Sequence, residues 1–342
     1  MHKDAKPNIF QLATKELTQD SFFAWLLQWA NDIYADFNPG LNETAQDFVR
    51  LLIDQDNKYR IIKVDAGRQW KNVDVWAEIN DEYFICIEDK TNTGEHSDQL
   101  QRYKELVAER FKGKNHTLKF IYLKTGNESS TSLKLIHGKG YRVVDRKSVL
   151  QILNKREINN EIFNDFKFYL TQIETLTYSC KTISSINVNL KTAEGFYIKL
   201  QELIPEWTDW KYVSNKTGGF LGFWYHWVKG KNFDLYIQIE NIIGKKIQVS
   251  IKIGNWNPKV ETLNEILTVL QLGAGKYGLQ ILKPDKYRLG KTSTLAVVKN
   301  IFIADGDGNI NLNQLLIHLQ NLQSLLDEYV SGESVNLFEN YS

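Results

Sequence analysis

The sequence predicts an α/β domain followed by an α+β domain, and three observations carry that prediction. A helix, three strands, a helix and a strand succeed one another through the first half. The second half holds a Trp- and Tyr-rich series of strands with the spacing of an antiparallel meander, flanked by helices. Between them, "YSCKTISSIN" at 178–187 has the polar, Ser-rich character of a linker. A chain of 342 residues also exceeds the size at which one core usually keeps growing. We therefore divide it into residues 1–178, a mixed-sheet α-β-β-β-α-β core, and residues 179–342.

Taken in order, "ELTQDSFFAWLLQWAND" from about residue 16 reads as a strongly apolar helix with Thr18 or Asp20 as its N-cap. "AQDFVRLLIDQ" reads as a second, amphipathic one. Strand patterns follow at 60–65, 73–79 and 83–88. A helix then begins at Ser97 or Asp98, with Leu100, Tyr103, Val107 and Phe111 at helical spacing. "LKFIYLKT" at 118–125 is a buried-looking strand ended by Gly126-Asn127, "YRVV" a short one, and helices near 147–154 and 157–177 close the half. Beyond the linker come a helix around 192–203, the strands "GFLGFWYHWV", "FDLYIQIE" and "KIQVSIKI", helices at 260–271 and 311–329, and the stretch "TLAVVKNIFI".

Apolar residues make up 42% and charged residues 24%, an ordinary globular composition. No apolar run approaches the roughly 20 residues that span a bilayer, and the N-terminal residues lack the apolar stretch of a secretory signal. A cytoplasmic protein with no membrane partner is the expectation. Cys86 and Cys180 are read as free thiols, since one pair is no disulfide framework and no CxxC suggests zinc. The net charge of +1 conceals a gradient: residues 1–90 carry 10 basic and 16 acidic side chains, and residues 91–178 carry 15 and 10. There is no polybasic tail, so any nucleic-acid binding rests on local placement of charge.

The chemistry gathers where "YFICIEDK" at 83–90 ends an apolar run in three charged residues. Side chains alternate along a strand. Val73, Val75, Ala77, Ile79, Tyr83, Ile85, Ile87 and Asp89 form a nearly all-apolar odd face that must be the core side. The even face holds Asp74, Trp76, Glu78, Phe84, Cys86, Glu88 and Lys90. Keeping odd opposite odd, a three-residue loop at Asn80-Asp81-Glu82 sets Asp74 across from Glu88. Carboxylates so placed, with Cβ atoms about 4.5–5.5 Å apart, repel unless a cation lies between them. Hard divalent ions take such oxygen ligands, and Mg²⁺ binds through one or two carboxylates plus phosphate and water. Lys90 would support the attacking water or the charge on phosphorus. Read alone, Asp74, Glu88 and Lys90 also fit a solvated strand face with a surface ion pair.

With these residues and this order of elements, the sequence resembles the PD-(D/E)XK nuclease superfamily, the restriction-endonuclease-like fold. The motif maps onto Asp74, Glu88 and Lys90, with Val73 where the name-giving proline would stand. Gln99-Leu100-Gln101-Arg102-Tyr103 is similar to the QxxxY motif of RecB-like members, and Gln99 and Tyr103 share a helix face. The resemblance covers roughly residues 12–178. It implies that Glu16 completes the site, that Asp89 is structural, that Mg²⁺ or Mn²⁺ is the cofactor, and that DNA is the favoured substrate with RNA left open. It also implies a setting in restriction or phage defence, and the alternative of an inactive nuclease fold that binds nucleic acid or protein. The second half would recognise substrate, sense a trigger or form a homo-oligomer.

Other motifs do not hold. Gly273 to Gly278 fits GxGxxG but follows a helix, as a C-cap and loop would. Gly290-Lys291-Thr292 lacks the upstream glycine of a P-loop, Asp285 standing there. "DGDGNINLNQ" at 305–314 has Ile310 and Leu316 where a calcium loop needs Gly and Glu, so it reads as a tight turn. His96 reads as a loop residue. Trp207, Trp210, Trp224, Tyr225, Trp227 and Trp256 are read as core, with a base-stacking face as the other option.

Overall fold

A computed structural model describes residues 7–13, 15–94, 98–216, 218–230, 232–255 and 259–332. The chain divides into two compact units. One takes the described residues up to Glu128 together with Ser132–Thr175, and the other takes Ser129–Thr131 and the described residues from Leu176 onward.

In the first unit, α1 (Ile9–Leu12) precedes α2 (Glu16–Trp29) and α3 (Pro39–Ile53). The helix α2 begins earlier than Thr18 or Asp20 would set it. Lys15 is its extended cap, and Glu16 lies in its first turn, where the helix dipole favours an acid. Both proposed caps are thus inside the helix. Asn38 caps α3 by accepting from the Leu41 N–H, with Pro39 at the first helical position.

The strands β1 (Val64–Trp70), β2 (Val73–Ile79) and β3 (Tyr83–Lys90) follow. The strand expected at 60–65 lies further along. The N–H groups of Ile62 and Lys63 are met by the Asn80 side chain at 2.9 and 3.0 Å, not by a neighbouring strand. Next come α4 (Gln99–Arg110), β4 (Thr117–Lys124), α5 (Ser130–Gly138), β5 (Arg142–Asp145), α6 (Arg146–Leu153) and α7 (Glu161–Thr177). Asp98 precedes α4 in a left-handed conformation and makes no side-chain cap; Ser97 lies outside the described residues.

The five strands form one sheet in chain order, antiparallel from β1 to β3 and parallel from β3 to β5. One sheet face carries the larger core. There Val75, Ala77, Ile85 and Ile87 meet Phe23 and Leu27 of α2, Phe48 of α3, and Phe163 and Phe166 of α7. The opposite face is covered as well, because Phe84 and Cys86 pack with Tyr103, Val107 and Phe111. A sheet covered on both faces keeps its polar side chains for the strand ends.

The second unit opens with α8 (Ile183–Ile186), a one-turn helix inside the stretch read as a linker, held by reciprocal capping between Thr182 and Ser185. Then come α9 (Leu190–Leu203), β6 (Thr208–Val213), β7 (Phe220–Lys229), β8 (Asp234–Ile242), β9 (Lys246–Gly254), α10 (Val260–Ala274), β10 (Gln280–Leu282), β11 (Thr292–Lys299) and α11 (Leu312–Ser331). All six strands are antiparallel, in the order β10-β11-β9-β8-β7-β6. Apolar residues of one sheet face, among them Phe223, Ile237 and Ile251, pack with Tyr197 of α9, Leu267 of α10 and Leu322 of α11.

The aromatic residues divide. Trp210 and Tyr225 are core, Trp224 is half-buried, and Trp207 and Trp227 are exposed, against the expectation of a common core. Exposed Trp227 instead stacks on Tyr236 at 3.9 Å between ring centroids. Trp256 lies outside the described residues. Residues 305–308 form a turn in which the Asp305 carboxylate accepts from Asp307 and Asn309 N–H. No described helix is long and apolar enough to cross a membrane.

Candidate active site

The β2–β3 hairpin is built as its pattern requires. Ile79 pairs with Tyr83 and Val75 with Ile87, across the three-residue loop Asn80-Asp81-Glu82. Asn80 and Asp81 take the positive φ values, 53° and 56°, so Glu82 is spared the strained position. One step past the last paired residues, Asp74 and Glu88 come side by side, close enough that each raises or lowers the other's ionisation.

Three consecutive charged residues, Glu88, Asp89 and Lys90, are buried at the end of β3. Alternation sends them two ways. Glu88 and Lys90 form an ion pair of 2.5 Å between Oε1 and Nζ. The other Glu88 oxygen, Oε2, accepts from Gln99 Nε2 at 3.1 Å. Gln99 also donates to the Tyr103 hydroxyl at 2.7 Å, and that hydroxyl donates to the Asn72 carbonyl. The first and fifth residues of α4 therefore face β3 together.

Glu16 enters from the first turn of α2. Its Oε1 accepts from the Thr91 N–H at 3.1 Å and the Thr93 hydroxyl at 2.7 Å, and its Oε2 lies 3.9 Å from Lys90 Nζ. All six residues singled out in the sequence, Glu16, Asp74, Glu88, Lys90, Gln99 and Tyr103, thus stand in one connected group.

Asp89 points the other way, toward α2. Its Oδ1 accepts from Gln19 Nε2 at 2.5 Å, and its N–H donates to Asp74 Oδ2 at 3.1 Å. Asp20 lies close enough to raise its carboxyl further, which makes a second acidic pair behind the first. Gln19 Oε1 accepts from Thr125 at 2.6 Å, so α2 is tied to the ends of both β3 and β4. Neither Gln19 nor Asp20 was read from the sequence as part of the site. The signal was present, since both follow Glu16 by three and four residues and so share its helix face. Lys124 was missed too. It pairs in register with Lys90, is buried, and donates to the Thr93 carbonyl at 2.7 Å.

Burial sets the electrostatics. Desolvation, with the Asp74 charge adding to it, pushes the Glu88 carboxyl up to about 8, even though Lys90 pulls it down. Asp74 is raised by burial, while the Asp89 N–H, Lys90 and the Glu88 carboxyl all favour its charged form. Behind them, burial takes Asp20 up to about 6 and Asp89 well above its usual range. Burial opposes charge on Lys90 as well, but Glu88, Asp74 and Glu16 more than offset it and hold the ammonium protonated. Tyr103, pushed up to about 12 mainly by burial, stays a neutral donor.

Asp74 and Glu88 fit a hard divalent ion. They supply two abutting oxygen donors, and the buried Glu88 Oε1 has no hydrogen-bond partner beyond its ion pair with Lys90. Among the described residues no cluster of three or more His, Cys, Asp or Glu could hold a metal. Two carboxylates are nonetheless what Mg²⁺ takes when water and phosphate complete its shell.

Tight contact between strand ends fixes this geometry. A Cβ built on Gly126, just past β4, would fall 1.7 Å from the Thr91 carbonyl oxygen just past β3. Only glycine permits that approach.

An α-β-β-β-α-β core with acidic and basic side chains gathered where its third strand ends is the architecture of the restriction-endonuclease-like class. A family model of the PD-(D/E)XK nuclease superfamily matches residues 7–196, more than half the chain, and the protein belongs to that superfamily. The match runs past Thr175 into α9. No curated protein and no solved structure matches the chain.

Proposed function

We propose that the first unit is a divalent-metal-dependent nuclease that hydrolyses phosphodiester bonds, with DNA as its substrate. The observation that carries this reading is the contact of Asp74 with Glu88 beside the Lys90 ammonium, 2.5 Å from Glu88. Asp74 and Glu88 would hold Mg²⁺ or Mn²⁺, which when bound supplies a Lewis acid for the phosphate and acidifies a water ligand.

The chain's own residues do the rest. Lys90, kept charged by three carboxylates, donates to the attacking water and to the phosphate oxygen on which charge builds. Gln99 holds Glu88 by Oε2, so that Oε1 faces Lys90 and the ion together, while Tyr103 fixes Gln99. Glu16 anchors the chain after β3 through Thr91 and Thr93. The cellular setting, restriction or phage defence, is carried by family likeness and by no residue of this chain.

The test is cleavage of plasmid and single-stranded DNA with Mg²⁺ or Mn²⁺, in the native protein and in Glu88→Ala and Lys90→Ala. Metal-dependent cutting that both variants abolish while still folded supports the reading, and cutting that survives in both removes the site. Tight binding of DNA with no cutting under either metal would favour an inactive nuclease fold.

A further inference from the structure

We infer that the open face of the second unit's sheet is a docking surface for double-stranded nucleic acid, held by its phosphates. Even-numbered side chains of β7, β8 and β9, with Thr294 and Val297 of β11, line a concavity of about 660 Å³ on the face opposite the helices. Its polar groups are tied together: Lys252 donates to Glu240 at 2.9 Å and to Thr294 at 2.8 Å, and Gln248 donates to Ser250, which is buried behind the lining.

The rim is basic. Lys245 and Lys246 stand at the β8–β9 turn with Lys299 at the end of β11, while Lys283, Lys286 and Arg288 follow β10. All six are exposed, and none has a carboxylate partner among the described residues. Of the two acids in the lining, Glu240 is engaged by Lys252 at 2.9 Å, which leaves Asp285 alone against them.

The spread of charge selects the occupant. The concavity that the basic side chains rim crosses five strands, from β7 to β10, or about 19 Å at the usual strand spacing. A mononucleotide gathers its phosphates in one place, whereas a polymer presents them along such a span. An acidic protein would be met by an apolar or aromatic centre. Here the apolar Ile242, Leu282, Pro284 and Val297 are scattered among Gln248, Thr292, Thr294 and Lys252 beneath six exposed basic side chains, the polar and positive make-up of a nucleic-acid interface. Unstacked bases would need aromatic platforms. Phe220 is the one aromatic ring in the lining, so contact with a duplex backbone fits better than contact with a single strand. This inference is separate from the proposed cleavage, because binding is read without metal and either can fail alone.

The test is fluorescence anisotropy of the full chain with a labelled duplex of roughly 20 base pairs in EDTA, over a range of salt. The triple variant Lys245→Gln/Lys286→Gln/Arg288→Gln should bind at least tenfold more weakly. Its log K against log salt should flatten by about 2–3 units, close to one per lost phosphate contact. The control Lys199→Gln/Lys229→Gln/Lys276→Gln, outside the concavity, should change binding less than twofold, and thermal melting should show both variants folded. Unchanged binding in the first variant overturns the inference, as does equal loss in both. Displacement of the duplex by a mononucleotide, or by poly-glutamate, as readily as by unlabelled duplex also overturns it, in favour of a small anion or an acidic protein.

Discussion

The two sheets handle charge in opposite ways. In the first unit helices cover both faces, and the ionisable groups crowd where β3 ends, buried beside one another. In the second unit helices cover one face, and the lysines stand exposed around the other. Burial makes a charge specific and expensive, because each group must find a partner or shift its pKa. Exposure leaves a charge constant and cheap, suited to a long polyanion.

The largest expected effect lies in the buried cluster. Glu88→Ala or Lys90→Ala should lower metal-dependent cleavage by about 100-fold or more, while the exposed lysine variants should leave turnover at saturating substrate within a few-fold. Kinetics on both sets breaks the contrast if the exposed set costs as much.

Next comes Gly126→Ala. A methyl group 1.7 Å from the Thr91 carbonyl forces main chain to move, so a loss of roughly 2–4 kcal/mol is expected in urea unfolding, with the Glu16 anchor disturbed as well. Unaltered stability would mean that the two strand ends are not locked together.

A smaller effect follows from Glu88. Its carboxyl is held at about 8 when folded, against an ordinary 4.5, so the folded protein binds an extra proton between those values. That contribution is whole below pH 4.5 and is lost as pH climbs through 8. Metal-free protein should therefore melt at lower temperature at pH 8 than at pH 6, and Glu88→Gln should flatten the dependence. A steeper dependence in the variant would contradict the assignment.

Smallest is Tyr103→Phe, which removes one hydrogen bond to Asn72 and one from Gln99. About 1 kcal/mol of stability and about tenfold in metal affinity are expected, read by unfolding and by calorimetry.

Much of the first sheet was legible because strand alternation leaves a plain record. Val75, Ala77, Ile85 and Ile87 fix the core face, and that face with a three-residue loop places Asp74 beside Glu88. The helix pair Gln99 and Tyr103 was legible for the same reason, at a period of four. What escaped depends on contacts between distant segments. Gln19 and Asp20 sit in a helix whose apolar neighbours hide them, and only folding brings them to Asp89, about 70 residues away. The strand β1 escaped because "VDAGRQW" carries few apolar residues, while the more apolar "RIIKV" before it is bonded by the Asn80 side chain instead. Exposed Trp207 and Trp227 escaped because composition cannot say which face of a sheet is left bare.

The amine lodged against Glu88 has one more consequence. It sets one positive charge against that carboxyl, and an ion approaching the same oxygen has to outcompete it. Sodium or potassium would bring the same charge at a similar distance and gain little, whereas a doubly charged ion roughly doubles the attraction to both oxygens. On the proposed reading, discrimination against monovalent salts follows from the fixed ammonium, before any question of ionic radius arises.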